Sequence, residues 1–123
     1  MYDKIRLLEK LVRIEQALVT IERRFSSIKT ADDFLDSDQG MDMLDGIAMM
    51  LIAIGENFKK IDSHTKGALF DEYPCINWSG VKGFRDILAH QYFNIDAEQI
   101  FQICSDNLGA LHDAVNNMIK NLR

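Results

Sequence analysis

The sequence predicts an all-α protein, an up-and-down four-helix bundle in which residues 1–123 form one domain. Three observations lead to this class. Apolar residues recur in steps of three and four along most of the chain, the signature of helices that bury one face. No segment sustains the two-residue alternation of a half-buried strand. A single proline among 123 residues, with 27% charged residues, suits helices better than a turn-rich β fold. A chain of this length closes one hydrophobic core and is too short for two.

The first helix is expected from Asp3 to Lys29. Leu7, Leu11, Ile14, Leu18, Ile21, Phe25 and Ile28 form its apolar seam, while Lys4, Glu9, Lys10, Arg13, Glu22 and Arg23 mark the solvent side. Thr30 to Asp33 reads as a helix start, with a short turn to Leu35. The second helix is expected from Asp38 to Ile61, its inner face running from Met41 through Leu44, Ile47, Leu51, Ile54, Gly55 and Phe58. The pattern breaks near Gly67 and Pro74, with a short helical turn between Thr65 and Tyr73 and His64 in a solvated loop. Asn77 is the N-cap of a third helix, Trp78 to Tyr92. Asp96, with Gln99 three residues on, opens a fourth helix that continues to the C-terminus on Ala97, Phe101, Cys104, Leu108, Leu111, Val115, Met118 and Leu122.

Composition narrows the function. A net charge of −5 argues against general coating of nucleic acid, whose affinity comes from phosphate neutralisation by Lys and Arg. Any RNA site must then be a local basic cleft. The longest apolar run, Ile47 to Ile54, is far too short for a bilayer, and the N-terminus lacks the order of a signal peptide. Two cysteines make no disulfide framework and read as reduced thiols, with a cytoplasmic location. No His, Cys, Asp or Glu set has metal-site spacing and no glycine-rich loop is suited to phosphate, so neither metal nor cofactor is expected.

One stretch carries chemistry: Phe84-Arg85-Asp86-Ile87-Leu88-Ala89-His90-Gln91-Tyr92-Phe93. Arginine offers a permanently charged fork for phosphate, and histidine exchanges protons near neutral pH. Together they suffice for metal-independent phosphodiester cleavage. Asp86 and His90 are four residues apart and share a helix face, so the carboxylate can orient the imidazole. Arg85 and His90 fall about 140° apart on an ideal helix, and a distorted helix or a two-fold dimer would be needed to join them. Spacing alone leaves a second reading open, with Arg85 a surface charge and Asp86–His90 an ordinary helix pair. His64 reads as solvated, and His112 as structural or surface. Glu56, near the apolar face of the second helix, needs a cationic partner: Arg85 inside the site, or Lys59 or Lys60 at the rim. Tyr92, seven residues beyond Arg85, shares nearly the same helix face.

The ensemble resembles the HEPN superfamily, specifically the HepT-like toxins of two-gene HEPN/MNT toxin–antitoxin modules. The resemblance spans nearly the whole chain: the apolar first helix, Asp33-Phe34-Leu35, Ile54-Gly55-Glu56, Tyr73-Pro74 with Trp78, Gly83 to Phe93, and Ile95-Asp96. It implies a homodimeric, metal-independent endoribonuclease dimerising around the third helix. Arg85 and His90 would be the catalytic pair, Asp86 the polar residue after the arginine, and Tyr92 the motif tyrosine. The usual partner is an MNT-type nucleotidyltransferase antitoxin that adenylylates this tyrosine; the substrate is RNA, with tRNA the family's example. Asp86 departs from the family, which often has asparagine there, and puts the turnover rate in question. The alternative function is a non-catalytic, nucleotide-binding partner subunit of a nucleotidyltransferase, and a third is a structural dimerisation domain.

Overall fold

Asp3 starts the first helix from outside it: its Oδ1 accepts the backbone N–H groups of Ile5 at 2.9 Å and Arg6 at 3.4 Å. The computed structural model describes residues 3–84, 88 and 96–123. Within these, α1 spans Lys4–Phe25, α2 Asp38–Thr65, α3 Ala68–Asp71, α4 Trp78–Lys82, α5 Ala97–Asp106 and α6 Leu108–Leu122, with a 3₁₀ turn over Ala31–Phe34. There is no strand among the described residues. The all-α architecture is therefore as the sequence predicts.

The long helices form the frame. α1 packs against α2 on one side and α6 on the other, while α2 also carries α3, α4 and α5. The seam of α1 is buried as expected at Leu7, Leu11, Ile14, Leu18 and Ile21. Phe25 is instead half-buried, its ring 5.3 Å from that of Phe101. The inner face of α2 is buried from Leu44 through Ile61, but Met41 is exposed. Gly40 takes the inward position in its place, because a Cβ there would collide with the Asp33 carbonyl of the 3₁₀ turn.

Helix boundaries differ from expectation where polar side chains capture backbone groups. α1 stops at Phe25 rather than Lys29: Ser26 Oγ donates to the Arg23 carbonyl at 2.6 Å, and Asp33 Oδ2 accepts the amides of Lys29 at 2.7 Å and Thr30 at 3.1 Å. These amide hydrogen bonds hold the Asp33 carboxyl below its usual range. α2 continues one turn past Ile61 to Thr65, whose buried hydroxyl donates back to the Ile61 carbonyl at 2.9 Å. His64 is thus helical rather than in a loop, although it is exposed as expected. Lys66 and Gly67 then turn the chain, both with positive φ (54° and 80°).

The third expected helix is interrupted early. α4 ends at Lys82, and the Gly83 amide is shared between the carbonyls of Ser79 at 3.0 Å and Gly80 at 3.2 Å, which tightens the turn. Helical conformation resumes at Phe84 and is seen again at Leu88. The fourth expected helix is two, α5 and α6, separated at Asn107. The apolar pattern runs unbroken through that point because the ladder survives: the Asn107 N–H donates to the Ile103 carbonyl at 3.0 Å, and the Asn107 carbonyl accepts from the Leu111 N–H at 3.2 Å. Asparagine is a weak helix former, and α5 ends and α6 begins around its φ of −116°.

Both cysteines are free, Cys75 exposed and Cys104 buried. Burial pushes the Cys104 thiol up to about 12, which keeps it protonated and inert at neutral pH. No helix among the described residues is long and apolar enough to cross a membrane.

Candidate functional site

In sequence, the Arg85-to-Tyr92 stretch follows directly on α4 and Phe84. Asn77 caps that helix, its Oδ1 accepting from Gly80 N–H at 3.1 Å, as the sequence predicts. Asp96 likewise caps α5 through Gln99 N–H at 3.2 Å. Ahead of Asn77, the only proline, Pro74, lies in a connection closed by Trp78, whose indole N–H donates to the Tyr73 carbonyl at 3.0 Å. The Trp78 ring stacks on Phe70 with centroids 4.0 Å apart and planes 8° apart. Phe58 of α2 meets both rings edge-on, at 5.6 Å from Phe70 and 5.3 Å from Trp78. This aromatic triad joins α2, α3 and α4 before the motif begins.

Two further contacts hold α4 on α2. A Cβ at Gly55 would lie 2.8 Å from the Val81 carbonyl oxygen and 3.3 Å from Phe84 Cβ, so glycine permits the close approach. Seven residues along α2, Asp62 Oδ2 pairs with Lys82 Nζ at 2.7 Å, both side chains being partly shielded. Val81, Phe84 and Leu88 are all buried, at 7%, 6% and 2% exposure. Their spacing of three and four residues is that of an inward helix face.

Arg85, Asp86, His90 and Tyr92 lie outside the described residues. So do the expected Asp86–His90 pairing, the shared face of Arg85 and Tyr92, and the Arg85 side of any pair with Glu56. Glu56 itself is half-buried in α2, directly after Gly55, whereas Lys59 and Lys60 are exposed. It therefore stands beside the position where α2 and the chain leading into the motif touch.

Two polar arrangements were not foreseen. The Asp62–Lys82 pair joins residues twenty apart, and no local pattern announces it. His112 sits half-buried between two carboxylates of α1, with Nε2 3.1 Å from Glu15 Oε2 and Nδ1 2.5 Å from Glu22 Oε1. The sequence did contain a signal for this clamp: Glu15 and Glu22 are seven residues apart, nearly two turns, and so share a face of α1. Each ring nitrogen takes its own carboxylate, so the three groups do not converge on a common point. Among the described residues no group of three His, Cys, Asp or Glu side chains is arranged to hold a metal ion.

The close approach at Gly55 is testable against a second helical glycine. Among the described residues, nothing beyond its own stretch of helix lies within 4 Å of the place a Cβ at Gly109 of α6 would take. Alanine at either position gains similar helix propensity, so the difference between the variants isolates the contact. Gly55→Ala is expected to be less stable than Gly109→Ala by about 1–3 kcal/mol in chemical denaturation, the usual cost of overpacking.

No solved structure matches this chain. The family model described as "Ribonuclease HepT-like" matches residues 14–118. That span enters within α1, takes in every later helix as far as Met118 in α6, and includes the whole Arg85-to-Tyr92 stretch. The chain belongs to the HepT-like family.

Proposed function

We propose that this protein is a metal-independent endoribonuclease, the toxin half of a toxin–antitoxin pair, acting as a homodimer with Arg85 and His90 at its catalytic centre. The observation that carries the reading is membership of a ribonuclease family over residues 14–118, in a chain that retains arginine, histidine and tyrosine at positions 85, 90 and 92. His90 removes the ribose 2′-hydroxyl proton or protonates the leaving oxygen, roles that two dimer-related copies can divide. Arg85 stabilises charge building on the phosphoryl oxygens. Asp86 orients the imidazole and strengthens it as a base. The products are a 2′,3′-cyclic phosphate and a 5′-hydroxyl.

Purified protein, freed of any antitoxin, should cleave cellular RNA, tRNA included, in the presence of EDTA. If it arrests growth while leaving every RNA intact, the nuclease reading fails. Nucleotide binding that is lost in Arg85→Ala, without cleavage by the wild type, would instead identify a non-catalytic partner subunit of a nucleotidyltransferase.

The antitoxin in this reading is an MNT-type nucleotidyltransferase that transfers adenylate from ATP to Tyr92. The attached phosphate would bring a bulky anion to the arginine that otherwise holds substrate, blocking RNA by charge and volume. Incubation with ATP, Mg²⁺ and the cognate enzyme should add adenylate mass to the peptide containing Tyr92. Tyr92→Phe should remain toxic and resist permanent silencing. Label on another residue, or silencing of Tyr92→Phe as efficient as that of wild type, would move the switch elsewhere.

A further inference from the structure

A cavity of about 290 Å³ lies between α4 and the α5–α6 junction, open to solvent and reaching Phe84, the residue immediately before Arg85 in sequence. A volume near 300 Å³ is at the small end of ligand pockets. The cavity has two kinds of wall. Val81, Phe84 and Leu111 belong to the buried core and form an apolar side. Gln99 and Asp106 of α5, with Asn107, supply the polar side, Asp106 and Asn107 being exposed. A flat heteroaromatic ring has this same division, an apolar face and a hydrogen-bonding edge.

We propose that this cavity is a subsite for an unstacked guanine base of the RNA, resting on the ribonuclease reading above and extending it to substrate choice. Single-stranded RNA is read largely through bases splayed from the strand and bonded on their Watson–Crick edges. Among the described residues, Asp106 is the one carboxylate of the cavity lining. A carboxylate has two acceptor oxygens side by side, each with more than one lone pair, so Asp106 Oδ1 can still accept although it takes a long bond from Ser105 Oγ at 3.3 Å. Among the four bases, guanine alone presents two adjacent donor groups, N1–H and the N2 amino group, that match them. Adenine and cytosine present a single amino donor beside an acceptor nitrogen that a carboxylate repels, and uracil a single N–H between two carbonyls. Asn77 complements this choice: its Oδ1 is taken by the Gly80 amide at 3.1 Å, leaving its amide N–H groups to donate to a guanine acceptor. With a net charge of −5 the protein has little general attraction for a polyanion, and a base subsite supplies affinity that phosphate contacts do not.

The test begins with nucleosides, which carry no phosphate and engage no phosphate site. Methyl NMR of the whole protein should show guanosine shifting the signal of Ile103, which also lines the cavity, with adenosine, cytidine and uridine weaker by at least about fivefold in apparent affinity. Asp106→Asn removes one acceptor oxygen from an exposed position and should abolish the preference while leaving the melting temperature unchanged. Ala110→Trp, which fills the cavity mouth from an exposed position, should abolish the guanosine shift altogether. In parallel, wild type should cleave RNA oligonucleotides with a guanine near the scissile bond at least about fivefold faster in kcat/KM than their adenine counterparts, and Asp106→Asn should equalise them. Equal shifts with all four nucleosides, no shift at Ile103, or a guanosine preference that persists in Asp106→Asn would overturn the subsite, whatever the cleavage result. Guanosine binding without cleavage of any RNA would overturn the ribonuclease reading and leave the subsite standing.

Discussion

His90→Ala is expected to lower RNA cleavage by at least about a hundredfold, because positioned general acid–base catalysis contributes about 10² to 10⁴. That lower bound corresponds to about 2.7 kcal/mol of transition-state stabilisation. The loss should fall in kcat more than in KM, since proton transfer occurs only on the way to the transition state. Arg85→Ala should also reduce cleavage, with KM rising as the phosphate loses its cation. Asp86→Asn separates orientation from basicity: the amide can still accept from the imidazole but brings no charge to it, so the pH dependence of kcat should shift while cleavage persists. Single-turnover cleavage of an end-labelled RNA measures all three variants, with circular dichroism to show that each is folded. If His90→Ala cleaves as fast as wild type in a preparation shown free of contaminating nuclease, the imidazole has no catalytic role.

Phe58→Ala is expected to have the largest effect on stability. Phe58 is fully buried in α2 and meets the rings of Phe70 and Trp78 at 5.6 Å and 5.3 Å. Truncating a buried phenylalanine typically costs about 3–5 kcal/mol through lost transfer energy and the cavity left behind. For a chain of this length the melting temperature should fall by roughly 10–20 °C. The substitution removes the side chain on which α3 and α4 both rest, so it should loosen the start of the motif segment as well as the core. Hydrogen exchange should show the amides of α4 losing protection to a greater degree than those of α1, whose packing is against α2 and α6. Uniform loss of protection would mean that the triad stabilises the fold without particular effect on α4.

Local physics made most of the helices legible from the residues alone. The three-and-four spacing of Leu7, Leu11, Ile14, Leu18 and Ile21, and of Leu44, Ile47, Leu51, Ile54, Phe58 and Ile61, follows from helix period and the removal of apolar surface from water. The caps at Asn77 and Asp96 were legible for the same reason, since a cap satisfies orphan amides two or three residues away. The pattern also marked the Arg85–His90–Tyr92 set, and the family to which it points is the one the chain belongs to.

Tertiary structure decided what depends on residues far apart in sequence. Met41 and Gly40 exchange inner and outer roles because the 3₁₀ turn lies against the start of α2, which helix periodicity alone does not reveal. Asp62 finds Lys82, and His112 finds Glu15 and Glu22, only because packing brings their helices together. The break at Asn107 is invisible to apolar spacing because the hydrogen-bond ladder continues through it, and Asn107 lines the cavity that reaches Phe84. Side-chain periodicity is a property of one helix and can be read along the chain; contacts between helices depend on how their faces meet, and emerge only when the whole core is packed.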